Sequence, residues 1–263
     1  MNLYIKETGK NNEETLLFLH GDGIAGWMWD KQVKSFSDYH CIVVDLPGHG
    51  KSSEAKSFTI KNTTEMIIDL IQDQAHSKKT HLVGISIGAQ VVVQILGTAP
   101  EVVDHALISG TLVRTTPPTK NFLKLLNHLI EIYTPVKNNP LFIKSYMRSY
   151  NIPKNLYNKF KESTCIIKQD SLDRIIRENM LFKMPEGLGN VYTPVLVMTG
   201  EKDYRVINES AKNLINVLPN SKRAYALKVG HIWNMENPEL FNNVLRAWIN
   251  DEPLPIGVKT IIN

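Results

Sequence analysis

The stretch His81-Leu82-Val83-Gly84-Ile85-Ser86-Ile87-Gly88-Ala89-Gln90-Val91-Val92-Val93-Gln94-Ile95-Leu96 decides the fold. Its first residues form an apolar run of strand length, and residues 87–96 continue directly as a helix candidate. Only Ser86, with Gly84 and Gly88 two positions to either side, separates the two. A run that is apolar on both faces fits a strand buried from both sides. Working outward, Leu16-Leu17-Phe18-Leu19 ends at His20-Gly21, and Cys41-Ile42-Val43-Val44 ends at Asp45-Leu46-Pro47-Gly48. Further along, Ala106-Leu107-Ile108 ends at Ser109-Gly110, and Val195-Leu196-Val197-Met198 ends at Thr199-Gly200. Residues 224–229 make the last such run, ending at Gly230-His231. Helical patterns lie between the runs. One opens at Asn62-Thr63-Thr64-Glu65, with Ile67, Leu70 and Ile71 at helical spacing. Another covers 238–249, with Pro238 in its first turn and Leu240, Val244 and Trp248 on one stripe. Alternating strands and helices predict an α/β fold, a mostly parallel central sheet flanked by helices.

The alternation breaks between residues 113 and 190. Thr115-Thr116-Pro117-Pro118 and Pro185-Glu186-Gly187-Leu188-Gly189 punctuate its two ends. Inside, Phe122, Leu125, Leu126, Leu129 and Ile130 recur at helical spacing. The reading is a core made of 1–112 and 191–263, with 113–190 inserted as a helical cap over one end of the sheet. Its apolar content suits an acyl chain better than a charged metabolite.

Composition narrows the class. Of 263 residues, 43% are hydrophobic and 21% charged, which is ordinary for a globular chain. The net charge of +4 is small and spread out, so no nucleic-acid stripe is present. Val91-Val92-Val93-Gln94-Ile95-Leu96 is too short to span a bilayer, and Met1-Asn2-Leu3-Tyr4-Ile5-Lys6-Glu7 carries no secretory pattern. Two cysteines, Cys41 and Cys165, make no disulfide framework and read as free thiols in a reducing, cytoplasmic setting. Neither paired cysteines nor clustered histidines suggest a metal site.

The chemistry centres on Gly84-Ile85-Ser86-Ile87-Gly88. Between a strand and a helix, G-x-S-x-G forms a sharp turn that exposes the serine hydroxyl. A serine needs a base, and His231 follows the last strand on a loop at the same sheet edge. His20 and His49 sit in glycine-rich loops and read as structural; the remaining histidines have no matching context. The base needs a carboxylate to fix its tautomer. Asp203, past the run ending at Met198, fits that role, while Glu201 is expected to face solvent. An oxyanion needs preorganised donors, and the backbone N–H groups of Asp22 and Ile87 are the candidates. The Asp22 carboxylate would repel an oxyanion, so it is expected to face away or to bind a polar substrate group. Trp27, Tyr204 and Trp233 are candidate pocket walls; Trp27, with Met28 and Trp29, equally suits a helix packed on the sheet. Met180, Phe182 and Met184 are candidates for an apolar roof or for packing within the cap.

These strings, together with Asp45-Leu46-Pro47-Gly48-His49-Gly50-Lys51-Ser52, resemble the α/β-hydrolases that carry a helical cap. The last string is similar to the family's D-x-P-G-H-G-x-S turn. The resemblance spans nearly the whole chain outside the cap. It implies a serine hydrolase acting through an acyl-serine, with a small ester as substrate and no cofactor or metal. Thioesters, lactones, carbon–carbon bonds and peracid formation share the same triad, as does a slow-turnover ligand receptor; a scaffolding role is the third class. Dehalogenases and epoxide hydrolases of this resemblance carry aspartate where this chain has Ser86. Specificity depends on pocket shape, which the sequence does not give.

Overall fold

The strands are β1 (Ile5–Thr8), β2 (Thr15–Leu19), β3 (His40–Val44), β4 (Thr80–Ile85), β5 (Val103–Ser109), β6 (Val195–Gly200), β7 (Ser221–Ala226) and β8 (Val258–Ile261). In the computed structural model, which describes residues 3–55 and 57–261, they form one sheet in the order β1-β3-β2-β4-β5-β6-β7-β8. Met1 and Asn2 of the segment read for a leader lie outside the described residues. The strands from β3 to β7 pair in parallel, and β1 and β8 add antiparallel edges. Sequence reading misses both edges because they are only half covered. Ile5-Lys6-Glu7-Thr8 and Val258-Lys259-Thr260-Ile261 carry charge and no apolar run; charged edges also discourage pairing with another chain.

Helices cover both faces: α1 (Asp30–Ser35), α2 (Ile60–Gln74), α3 (Ile87–Thr98), α4 (Lys120–Val136), α5 (Pro140–Ser149), α6 (Tyr157–Ile166), α7 (Gln169–Leu181), α8 (Arg205–Ile215), α9 (Trp233–Glu236) and α10 (Pro238–Ile249). Side-chain alternation sorts the core. Leu17, Leu19, Ile42, Val44 and Leu82 pack with α2, α3 and α8 on one face. Leu16, Phe18, Cys41, Val43 and Val83 pack with α10 on the other. Phe18 lies 5.1 Å from the Trp29 ring, which in turn lies 5.6 Å from Phe241. Burying one such side chain stabilises by about 1.5–3 kcal/mol.

Three local expectations shift. The helix expected from Asn62 begins at Ile60, because the Thr59 hydroxyl accepts the Asn62 N–H and caps it. The last parallel strand covers Ser221–Ala226 and not 224–229; Leu227 pairs outward with Gly257, and Lys228 turns the chain at φ 66°. Trp27, Met28 and Trp29 form a short 3₁₀ turn that leads into α1.

Between β5 and β6 lie α4 to α7 and no strand. The ends of this insertion are tied by Arg114 N–H to Phe182 O (2.9 Å) and Met184 N–H to Arg114 O (3.1 Å). Buried Gln90 of α3 donates to Leu112 O and Asn179 O, which anchors the end of α7 to the helix that follows Ser86. No helix among the described residues is long and apolar enough to cross a membrane.

Candidate functional site

Ser86 sits between β4 and α3 at φ 57°, ψ −117°. That region is strained for a residue with a Cβ, so its surroundings must impose it. The glycines make room. A Cβ on Gly84 would lie 2.6 Å from Gly88 O, and one on Gly88 would run into the carbonyls of Leu19 and His20. The Ser86 N–H is pinned to Ser109 O at 2.9 Å, locking the turn to the end of β5. The Ser86 side chain makes no hydrogen bond to a described residue and is half-buried.

The end of β5 also positions His231. Gly110, at φ 63°, lies under the imidazole, and a Cβ there would stand 2.7 Å from His231 Cε1. His231 Nδ1 lies 3.0 and 3.1 Å from the two Asp203 carboxylate oxygens. The Asp203 side chain is fully buried and that of His231 is 11% exposed. A carboxylate on Nδ1 selects the tautomer that leaves Nε2 free to take a proton. Asp203 Oδ1 also accepts the Tyr204 N–H (2.8 Å), which fixes the carboxylate. Glu201 faces solvent and accepts the Lys228 N–H, so it ties the loop after β6 to the turn after β7.

The loop after β2 runs beside the serine: a Cβ on Gly21 would lie 3.6 Å from Ser86 Cβ. The N–H groups of Asp22 and Ile87 donate to no acceptor among the described residues. His20 is buried; its Nδ1–H donates to Gly21 O (2.7 Å) and its Nε2 accepts the Leu46 N–H (2.9 Å). Burial, with His49 alongside, lowers the His20 pKa to about 3, so the ring is a neutral clamp. His49 is buried too; Nδ1 donates to Pro47 O (3.1 Å) and Nε2 meets Asp22 Oδ1 at 3.3 Å. Asp45 holds the 45–52 turn, accepting the Gly26 N–H (2.7 Å) and the Lys51 N–H (2.8 Å).

The insertion adds a group that sequence reading missed. Tyr133 of α4, Tyr146 of α5 and Tyr150 just past it gather in the neighbourhood of Asp22, with Tyr150 beside His231. The Tyr146 and Tyr150 rings lie 4.7 Å apart, and Tyr150 lies 5.7 Å from His231. Burial pushes all three phenols up, Tyr150 to about 12, and the nearby Asp22 carboxylate adds to each shift. None of the three hydroxyls belongs to the fully buried unpaired groups. A cavity of about 10 Å³, with room for one water, lies between Gly23, Tyr133 and Tyr146. Lys137 in the same wall spends its ammonium on Asn138, Thr164 O and Ile167 O. Spaced by helical turns, these tyrosines read as ordinary amphipathic residues. Glu236 was equally silent; it accepts the Gly230 N–H (2.8 Å) and so anchors the loop carrying His231.

Several candidate walls lie elsewhere. Trp233 is fully buried, donating to Ser109 Oγ (2.8 Å) and packing on Phe241, so it is core and not lining. Trp27 donates to Ser163 of α6 and lines a groove of about 410 Å³ with Lys6, Asp45 and Lys159 that includes none of Ser86, Asp203 and His231. Phe182 joins the core on the α2–α3 side, where Met184 packs against it; both line a groove shared with Ile60 and Gln94. Met180 is half-buried and belongs to neither core cluster. Met184 and Phe182 thus serve the seam between insertion and core. Tyr204 is 55% exposed and adjoins Tyr150, at the edge of the tyrosine group.

The sequence profile described as the alpha/beta hydrolase family matches residues 16–244. The chain belongs to that family. Across 94% of its length this hydrolase-family chain is 24% identical to an AB hydrolase superfamily protein of Gibberella zeae, covering 84% of that protein. It is 25% identical to the (E)-2-((N-methylformamido)methylene)succinate hydrolase of Acinetobacter baylyi, over 91% of this chain and 92% of that one. An esterase from Exiguobacterium antarcticum superposes with a TM-score of 0.80 at 19% identity, covering 94% of this chain and 95% of that one. The last likeness speaks for the fold alone.

Proposed function

We propose that this chain is a serine hydrolase of small carboxylic esters, with Ser86 as nucleophile, His231 as base and Asp203 as the residue that orients it. The observation that carries the reading is the His231–Asp203 pair, seated on Gly110 beside the serine turn. His231 Nε2 takes the Ser86 proton as Oγ attacks the carbonyl carbon. The oxyanion is received by the N–H groups of Asp22 and Ile87, which have no competing acceptor among the described residues. Collapse expels the alcohol, which leaves with the proton held on His231. Water then attacks the acyl-serine by the same route and frees the acid. The Ser86–His231 hydrogen bond forms as substrate enters.

The insertion, residues 113–190, acts as the cap, and the groups it brings to the site favour a more polar acyl group than its apolar content suggests. Three phenols and the Asp22–His49 pair border the site, whereas Phe182 and Met184 pack elsewhere. Short acyl groups carrying hydrogen-bonding substituents fit this border better than long alkyl chains. The free thiols, Cys41 buried and Cys165 exposed, support a cytoplasmic setting.

The test is kcat/KM over a p-nitrophenyl ester series, with thioester, lactone and diketone substrates beside it. Acetyl and hydroxyacyl esters should turn over best, and Ser86→Ala should lose roughly 10³- to 10⁶-fold in kcat while staying folded. Normal turnover by a folded Ser86→Ala protein would sink the mechanism. A profile rising steadily with alkyl length would sink the polar substrate class, and preferred cleavage of another bond would replace the ester.

A further inference from the structure

The opposite end of the sheet carries a histidine–carboxylate cluster that the chemistry above does not use. β4 and β5 pair Thr80 with Val103 and Leu82 with Ala106. One residue, His81, therefore faces two, Asp104 and His105. Such a bulge re-aims side chains that a regular strand would send to opposite faces. Here His81 Nδ1 lies 3.6 Å, and His105 Nδ1 3.5 Å, from the same oxygen, Asp104 Oδ2. One donor atom from each of the three residues falls within 4.8 Å of the others.

Both histidines are buried, with the His81 side chain 4% and the His105 side chain 11% exposed. Neither Nδ1 has a hydrogen-bond partner among the described residues. A buried polar nitrogen left unpaired is costly, so a native structure has a reason for it. The far nitrogens also face carboxylates: His105 Nε2 lies 3.5 Å from Asp251 Oδ1, and His81 Nε2 lies 4.0 Å from Glu14 Oε1. An imidazole between a ligand position and an outer carboxylate is the arrangement that orients metal-bound histidines.

We propose that His81, Asp104 and His105 bind one zinc-class divalent cation. Zinc takes nitrogen and carboxylate ligands at about 2.0–2.2 Å in a tetrahedron, which places donor atoms about 3.3–3.5 Å apart. The observed separations from Asp104 Oδ2, 3.5 and 3.6 Å, need only slight tightening. The carboxylate of Asp104, with a side chain 52% exposed, gives the ion a path in, and water fills the fourth position. His81 precedes Ser86 by five residues of extended chain, about 17 Å. The ion therefore clamps β4 to β5 and takes no part in the reaction.

The experiment uses full-length protein stripped with a chelator. Zn²⁺ binding is followed by calorimetry and by the unfolding midpoint, and Co²⁺ binding by its visible spectrum. Wild type should bind one ion per chain, show the intense absorption of a tetrahedral Co²⁺ site, and gain several degrees in Tm. The exposed change Asp104→Asn, which spares the core, should weaken binding at least ~10-fold, the scale seen when even outer-shell partners are removed. His81→Asn should abolish the Co²⁺ spectrum. Cu²⁺ should quench Trp248, whose ring lies 6.1 Å from His105. Ester turnover of Asp104→Asn should match wild type, and Zn²⁺ should bind His231→Ala unchanged. Equal affinity in wild type and Asp104→Asn, no binding by wild type, or loss of binding in His231→Ala would each overturn the assignment. The first two outcomes leave the cluster as a proton-sharing network only.

Discussion

Ser86, Gly110 and Asp203 show how single residues are constrained by their neighbours' atoms and not by their own preferences. The serine adopts φ 57° because Gly84 and Gly88 allow the backbone to close on itself. Gly110 is needed for a different reason: it has φ 63°, and the His231 ring occupies the space of its missing Cβ. Gly110→Ala should therefore displace His231, lowering kcat at least ~10-fold with little change in KM, since the loss falls on the chemical step. Steady-state kinetics on acetyl esters check this, and an unaffected kcat would mean that His231 is free to move without cost. Asp203→Asn should favour the wrong imidazole tautomer and slow turnover by up to about 10⁴-fold. Glu201→Gln should leave turnover within about twofold, because Glu201 holds only the Lys228 N–H on an exposed turn. If Glu201→Gln proves the more damaging, the carboxylate has been misassigned.

At the scale of elements, the proposed specificity rests on the loop after β2 together with helices α4 and α5. Asp22 comes from the first, Tyr133 and Tyr146 from the helices, and Tyr150 from the residue that ends α5. Tyr150 lies 5.7 Å from His231 and against Tyr146. Tyr150→Phe removes a hydrogen-bonding group and keeps the ring. It should raise KM for hydroxyacyl esters several-fold, leave kcat for acetyl esters nearly unchanged, and flatten the discrimination between them. A kcat effect shared by all esters would instead give Tyr150 a direct part in the reaction. Gln90 matters to the same assembly, since its two bonds to Leu112 O and Asn179 O tie α3 to both flanks of the insertion.

For the whole molecule, buried histidines make stability depend on pH. His20 has its pKa lowered to about 3 by burial, against an ordinary value of 6.5. Between those values the unfolded chain binds a proton that the folded chain refuses. Stability is therefore full above about pH 6.5 and falls as pH drops toward 3, by about 1.4 kcal/mol per unit from this one group. His81, lowered in the same direction, adds to the loss. Urea midpoints should fall between pH 7 and pH 5, and His20→Gln should shrink that difference. An unchanged pH dependence in a folded His20→Gln protein would show that His20 does not carry it.

What the sequence determined by itself is local and directional. Buried parallel strands are continuous apolar runs, so five of the six interior strands and the Ser86 turn are legible from residue order alone, with the sixth displaced by three residues. The pairing of His231 with Asp203 is legible for the same reason, since both follow strands that end at one edge. Family membership follows from those strings in that order. Tertiary structure decided what depends on side chains meeting across elements. Charged edge strands have no apolar run, so β1 and β8 emerge only on pairing. Helical periodicity shows which residues of α4 and α5 are apolar, yet not that three phenols converge on Asp22. A one-residue bulge, invisible in composition, turns Asp104 and His105 toward His81 and brings a donor atom of each within 4.8 Å of the others. Backbone preferences act over a few residues, whereas a site is set by distances between strands and helices that only packing fixes.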